Sequence, residues 1–229
     1  MATDSSAGGI ESLYPFLYAD ASNVDAVLTE VRRSTVEKAA EIVALREQVF
    51  DLYADQLLAC AEAMAGSFAA GGKLFAFGNG GSSTDAQDVV NTFFDPGGSA
   101  RPLPALSLTG DVAVLTALSN DVGFEVVYAR QIAAFGRAGD IAFGLSTSGG
   151  SENVLRAFDE ASRRGLITVG MAGYDGGPMA AADNIEHLFV VPSSSVHRIQ
   201  EAQTTLYHVL WELTQTALQG DMSDRGAKT

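Results

Sequence analysis

The sequence predicts an α/β protein: a three-layer αβα sandwich around a five-stranded parallel sheet, preceded by N-terminal helices. Three observations carry that prediction. Five short apolar runs recur along the chain, each too continuous in its hydrophobicity to keep one face in water, as strands of a parallel sheet covered on both sides require. Stretches that read as helices lie between them. Glycine- and serine-rich turns follow the strand runs and open the next helices.

Residues 1–22 mix Ser, Gly, Asp and aromatics without period and read as a loose leader, with Leu13, Tyr14, Phe16 and Leu17 as its apolar content. From Val24 to Ala70 the spacing is helical, through Val27, Val31, Val36, Ile42, Val43, Leu45, Val49, Leu52, Leu57 and Leu58. Two helices are expected there, with a break in the forties, and Gly71 and Gly72 end the second. This region has more apolar positions than one face of a single domain can use, so it is expected to pack between subunits.

The strand runs are KLFAFG (73–78), PALSL (104–108), DIAFGLS (140–146), LITVGMA (166–172) and HLFVV (187–191). Helices are expected over 83–94, 111–119, 124–136, 151–164 and 177–182, and a last amphipathic helix over 196–219. DPGGSARPLP (95–104) is a surface connection, and 220–229 reads as a disordered tail. Residues 23–219 are thus expected to form one domain, together with the N-terminal oligomerisation helices.

Composition removes several function classes. A chain of 229 residues, 47% hydrophobic and 18% charged, suits one globular domain with a sizeable core. The formal net charge of −14 argues against a nucleic-acid face, which needs clustered Lys and Arg. A small anion can still be held by backbone N–H groups in a negative protein. One cysteine, Cys60, makes no disulfide framework, and the default compartment is a reducing cytoplasm. The N-terminus lacks a basic segment followed by an apolar core, so no signal peptide is expected. No apolar run approaches the roughly 18 residues of a membrane span.

Ligands of doubly wound sheets sit at the carboxyl ends of the strands. Three polar loops fall there: GNGGSS (78–83), TGD (109–111) and STSGGSENV (146–154). Each leads a strand into a helix, where hydroxyls cap the helix and the positive end of its dipole favours an anion. A helix cap is the plain alternative for any one of them. Two such loops together supply Ser82, Ser146, Thr147, Ser148 and Ser151 around one space, with no Lys or Arg among them. That donor set suits a phosphate monoester. It does not suit a nucleoside triphosphate, which calls for the GxxxxGK[ST] lysine, and the third glycine of a GxGxxG dinucleotide loop is missing.

FGNGGSSTDAQ, STSGGSENV, YDGGPMA and HRIQEAQTTLYH, in this order, resemble the sugar-isomerase (SIS) domain, with the closest match to bacterial phosphoheptose isomerases, over roughly residues 25–217. The resemblance implies the five-stranded sheet, a homotetramer with N-terminal helices between subunits, and active sites at the interfaces. It implies sugar-phosphate contacts from Asn79, Gly80, Gly81, Ser82, Asp111, Ser146, Thr147, Ser148, Ser151 and Gln200. It also implies an aldose–ketose isomerisation of sedoheptulose 7-phosphate or a related sugar phosphate.

That chemistry needs a base to move a proton between adjacent carbons and an acid for the oxygens. Where the isomerases have a zinc-binding histidine and, one turn later, a catalytic glutamate, this chain has Asp88 and Thr92. Thr92 has no carboxylate. The resemblance leaves His208, Asp88 and Glu201 as candidate catalytic groups, and Asp88, Gln200 and His208 as the candidate donors to a Zn2+ ion. The plain alternatives are a helix histidine with a hydrogen-bonded neighbour for His208 and a first-turn residue favoured by the helix dipole for Glu201. Tyr207 and Trp211 read as core or subunit interface, His187 and His197 as surface, and Asp121 as a helix end. Two function classes stay open: a phosphosugar isomerase, and a non-catalytic phosphosugar-binding protein that acts through a protein partner, as one family relative does with the bacterial replication initiator.

Overall fold

A computed structural model of the chain describes residues 24–98 and 100–226, with side chains described to residue 220. The expected leader over 1–22 and the last tail residues, 227–229, lie outside the described residues. The chain divides into residues 1–44 and 45–229.

The described part of the first unit is helical backbone of α1 (Val24–Ala69). The break expected in the forties is absent. No proline occurs in α1, its first glycine is Gly66, and the forties are made of good helix formers, so nothing there interrupts the hydrogen-bond ladder. In this stretch Val24, Leu28, Val31, Val36 and Val43 are exposed, while Arg33 is paired with Glu30 and Glu37.

In the second unit the rest of α1 buries Leu45, Val49, Leu57, Cys60, Met64 and Phe68. The five strands are β1 (Leu74–Gly78), β2 (Ala105–Ser107), β3 (Ile141–Ser146), β4 (Ile167–Gly173) and β5 (His187–Val191). They form one parallel sheet in the order β2-β1-β3-β4-β5. β1 and β3 are buried along their whole length, which is why both read as unbroken apolar runs. The edge strand β2 is shorter than its run, three residues with Leu106 exposed.

The helices are α2 (Gly81–Phe94), α3 (Val112–Asp121), α4 (Val127–Phe135) after a 3-10 turn at Phe124–Val126, α5 (Glu152–Arg163), α6 (Gly177–Ala180) and α7 (Val196–Gly226). α2 begins two residues earlier than its polar start suggests, so Gly81 and Ser82 belong to its first turn. α6 stops at Ala180 instead of 182. α7 continues past 219 through Gly220, where a tail was expected, because one glycine in a helix costs only about 1 kcal/mol.

The core is aromatic. Phe75, Phe77, Phe93, Phe143, Phe158 and Phe189 are fully buried. Phe77 meets Phe158 edge-on at 5.4 Å and Tyr128 at 5.5 Å. Gly144 of β3 makes room for them: a Cβ there would lie 2.5 Å from Phe158 and 2.7 Å from Phe77. Strand order reverses between β1 and β3, and a crevice at the carboxyl ends of such a pair is where doubly wound sheets take ligands.

Candidate functional site

The first and third polar loops leave neighbouring strands, β1 and β3, which pair from Leu74–Ile141 to Gly78–Leu145. Both loops therefore lie at the reversal point of the sheet. In the first, Gly80 takes φ 56°, a left-handed conformation that lets Ser82 and Ser83 N–H groups turn back onto the Asn79 and Gly80 carbonyls. Ser82 is buried at the start of α2. A Cβ on Gly81 would stand 2.2 Å from the Gln200 Nε2, so α7 passes directly over this helix start.

In the third loop, the buried Ser146 and the Ser151 hydroxyl are 2.9 Å apart. Ser151 is the N-cap residue of α5 but its side chain makes no capping bond. The hydroxyls of Ser146 and Ser151 bond to each other instead, beside the positive end of α5. Ser148 is exposed and its Oγ accepts from the Gly150 N–H at 3.2 Å. The Thr147 carbonyl accepts from the Gly173 N–H, which ties the loop to the end of β4. Between the two loops, Asn79 and Asn153 exchange amide hydrogen bonds of 2.8 and 2.9 Å. Sequence reasoning passed over Asn153, which sits in the SENV stretch it quoted.

The second loop differs. Asp111 is exposed and its Oδ1 accepts from the Val114 N–H, the capping bond of α3. Thr109, overlooked in the sequence, is the buried polar group of that loop: its Oγ1 lies 2.7 Å from the Ser107 hydroxyl and accepts from Gln87 of α2.

The third component is where α2 meets α7. Tyr207 donates to Asp88 Oδ2 at 2.6 Å, and His208 Nε2 lies 3.5 Å from the same oxygen. The Tyr207 and His208 rings stack at 5.1 Å. Gln200 donates to Asp85 at 3.4 Å. Burial, and then the neighbouring Asp88 charge, push the Asp85 carboxyl up to about 6, against the pull of the Gln200 hydrogen bond. Burial also raises the Tyr207 phenol, and its bond to Asp88 adds to the rise. Asp85 was not singled out in the sequence, and Tyr207 was read there only as core or subunit interface. The signal was present: Asp85 and Asp88 are at i and i+3, and Gln200 and Tyr207 at i and i+7, each pair on one helix face.

The structure thus brings Asp88 and His208 together, sets Gln200 against Asp85 one turn earlier on α2, and leaves Glu201 out of both pairs. Glu201 is exposed and accepts from Arg198 at 2.6 Å, so its candidacy as a base loses its geometry. A zinc site does not fit either. Asp88 and His208 are two strong ligands, Gln200 is held by Asp85, and among the described residues no three His, Cys, Asp or Glu side chains gather as a metal set. His187 is half-buried, and burial lowers its pKa. Asp121 ends α3.

Comparisons with known proteins identify the family. The SIS domain profile matches residues 37–173. A phosphoheptose isomerase of Nitratidesulfovibrio vulgaris is 42% identical over 186 residues, 81% of this chain and 88% of that protein. One from Aquifex aeolicus is 43% identical over 169 residues, 72% of this chain and 86% of its own length. The solved phosphoheptose isomerase of Neisseria gonorrhoeae superposes with a TM-score of 0.75 at 34% identity, covering 81% of this chain and 99% of that one. Sheet, loops and relatives together place this chain in the SIS domain family.

Proposed function

We propose that this protein binds a sugar phosphate across the loops after β1 and β3 and interconverts its aldose and ketose forms, with sedoheptulose 7-phosphate or a related sugar phosphate as substrate. The observation that supports this most is the pair of serine-glycine loops on adjacent parallel strands, each running into a helix start, with Ser82, Ser146 and Ser151 as hydroxyl donors and no Lys or Arg in either loop. Thr147, Ser148, Gly80 and Gly81 complete the phosphate side, and Gln200 reaches it from α7.

Asp88 and His208 are the acid–base groups of this reading. A base removes the proton from the sugar carbon beside the carbonyl, the electron pair moves to form an enediol, and the proton returns to the neighbouring carbon while an acid serves the oxygens. Thr92 cannot take that proton near neutral pH. Asp88, one turn earlier and already hydrogen-bonded to Tyr207, is the carboxylate of that helix that faces His208. The proposed setting is cytoplasmic, and the proposed assembly is a homotetramer held through the exposed apolar positions of α1, among them Phe50, Leu52 and Leu58. No helix among the described residues is long and apolar enough to cross a membrane.

The test is an isomerase assay on sedoheptulose 7-phosphate with and without added zinc. The proposal requires turnover that does not depend on zinc, that is slower than in glutamate-bearing relatives by about 10²–10⁴-fold, and that is lost in Asp88→Asn and in His208→Ala. Binding with no turnover in the unmodified chain would refute the isomerase half. No observation on the described residues favours action through a replication initiator.

A further inference from the structure

We propose that α4, which lies outside the three ligand loops, positions all three: Tyr128 and the Asn79–Asn153 amide pair fix the first loop to the third, and Gln131 fixes the second. The inference rests on the reading of these loops as a phosphosugar site.

Tyr128 is 2% exposed and packs beside Phe77. Its hydroxyl donates to the Gly78 carbonyl at 2.6 Å and lies 3.0 Å from Asn79 Oδ1, so it grips the first loop at its first two residues. Asn79 Oδ1 also accepts from Asn153 Nδ2, and Asn79 Nδ2 donates to Asn153 Oδ1. Two of the four hydrogen bonds open to the Asn79 amide go to Asn153, the single Tyr128 hydroxyl proton is shared between Asn79 Oδ1 and the Gly78 carbonyl, and one Asn79 N–H is left for a ligand. Asn79 is therefore mainly a positioning residue, although its place in the loop marks it as a sugar contact. Asn153 is 3% exposed and sits in the first turn of α5, directly after the serines of the third loop.

Gln131 follows Tyr128 by three residues, on the same face of α4. It is buried, and its Nε2 donates to the Leu108 carbonyl and to the Val127 carbonyl, both at 3.0 Å. Leu108 immediately precedes the TGD loop. Burial pushes the Tyr128 phenol up to about 12, so it remains a donor across the physiological range. A buried polar network of this kind, with its partners in place, holds one arrangement of the chain where an apolar contact would tolerate several. The hydroxyls of Ser82, Ser146 and Ser151 come from two loops, and they converge on one ligand only while the spacing of those loops is held.

The test uses the full chain, its ligand-free hydrogen exchange, and calorimetric titration with inorganic phosphate and with sedoheptulose 7-phosphate. Tyr128→Phe keeps the ring and removes one oxygen. It should speed exchange at residues 79–83 and weaken both probes by about fivefold or more. Asn153→Ala should do the same and also loosen 147–152. The two changes together should cost less than the product of their separate effects, because they share Asn79 Oδ1. Gln131→Leu should loosen residues 108–111 and leave 79–83 unchanged. Exchange in β4 and β5 should stay as in the unmodified chain throughout. Unaltered affinity in both Tyr128→Phe and Asn153→Ala, or loosening spread evenly over the sheet, would overturn the proposal. If the unmodified chain bound neither probe, the phosphosugar reading would fall, while the exchange pattern would still decide whether α4 sets the loops.

Discussion

Gly149→Ala is a sharp perturbation of the third loop. Gly149 has φ +64°, and a Cβ there would lie 1.9 Å from the Gly176 carbonyl oxygen and 2.6 Å from its carbon. Both obstacles are backbone, so no side chain can swing aside. The left-handed conformation costs an L-residue about 1–2 kcal/mol, and forcing a methyl into a packed contact costs about 1–3 kcal/mol. The two together give about 2–5 kcal/mol, or about 4–20 °C in melting temperature for a chain of this size. The Gly149 N–H and carbonyl also bond to the Ser146 carbonyl and the Met179 N–H, so relief of the clash must move the serines. Differential scanning calorimetry and titration with a sugar phosphate read both effects. Gly150→Ala is the internal control: the nearest atom to its Cβ would be Pro178 Cδ at 3.6 Å, an ordinary contact, and a change within about 1 kcal/mol is predicted. If the two variants melted together, the argument from backbone approach would be refuted.

Asp85 links stability to pH. Its folded pKa, about 6, lies above its ordinary 3.8, so between those values the folded state binds more protons, and stability falls as pH rises through that window. In a dry site the difference would reach about 3 kcal/mol; the half-open position of Asp85 cuts it to about 1 kcal/mol. Asp85→Asn should therefore stabilise the protein at pH 7 and not at pH 4 in urea unfolding, and an equal gain at both would contradict this. Thr92→Glu should raise isomerase turnover, and more so combined with Asp88→His and added zinc. A rate unchanged by either would place the chemistry away from α2.

The sheet was legible because β1 and β3 are buried on both faces, which leaves continuous apolar runs such as LFAF and IAF with no alternation to confuse them. The two glycine-serine loops were legible because Gly80 and Gly149 need left-handed backbone, and glycine-serine punctuation after a strand marks such turns. The break in α1 was misread because helical periodicity slips between faces over a helix of this length, while no proline or early glycine supports a stop. Asn153, Tyr128, Gln131 and Asp85 were missed for a common reason. Each is one polar residue in a helix, and helical spacing alone does not distinguish a buried network member from a solvated one. Asp111 shows the converse: the plain reading of an aspartate before a helix, a cap, is the bond it makes. For His208, what the fold displays is the plain reading, a half-exposed helix histidine with Asp88 of the facing helix 3.5 Å away.

The central claim is that serine hydroxyls and backbone N–H groups, without a basic side chain, hold the phosphate of a sugar phosphate. Titration calorimetry with sedoheptulose 7-phosphate and with free sedoheptulose tests it most directly. The account predicts binding of the ester and no measurable binding of the free sugar. It further predicts that Ser82→Ala with Ser148→Ala abolishes the difference, at about 1.5–3 kcal/mol for each lost bond to the charged group. Equal affinity for the sugar and its phosphate, or an ester affinity untouched by the double substitution, would contradict it.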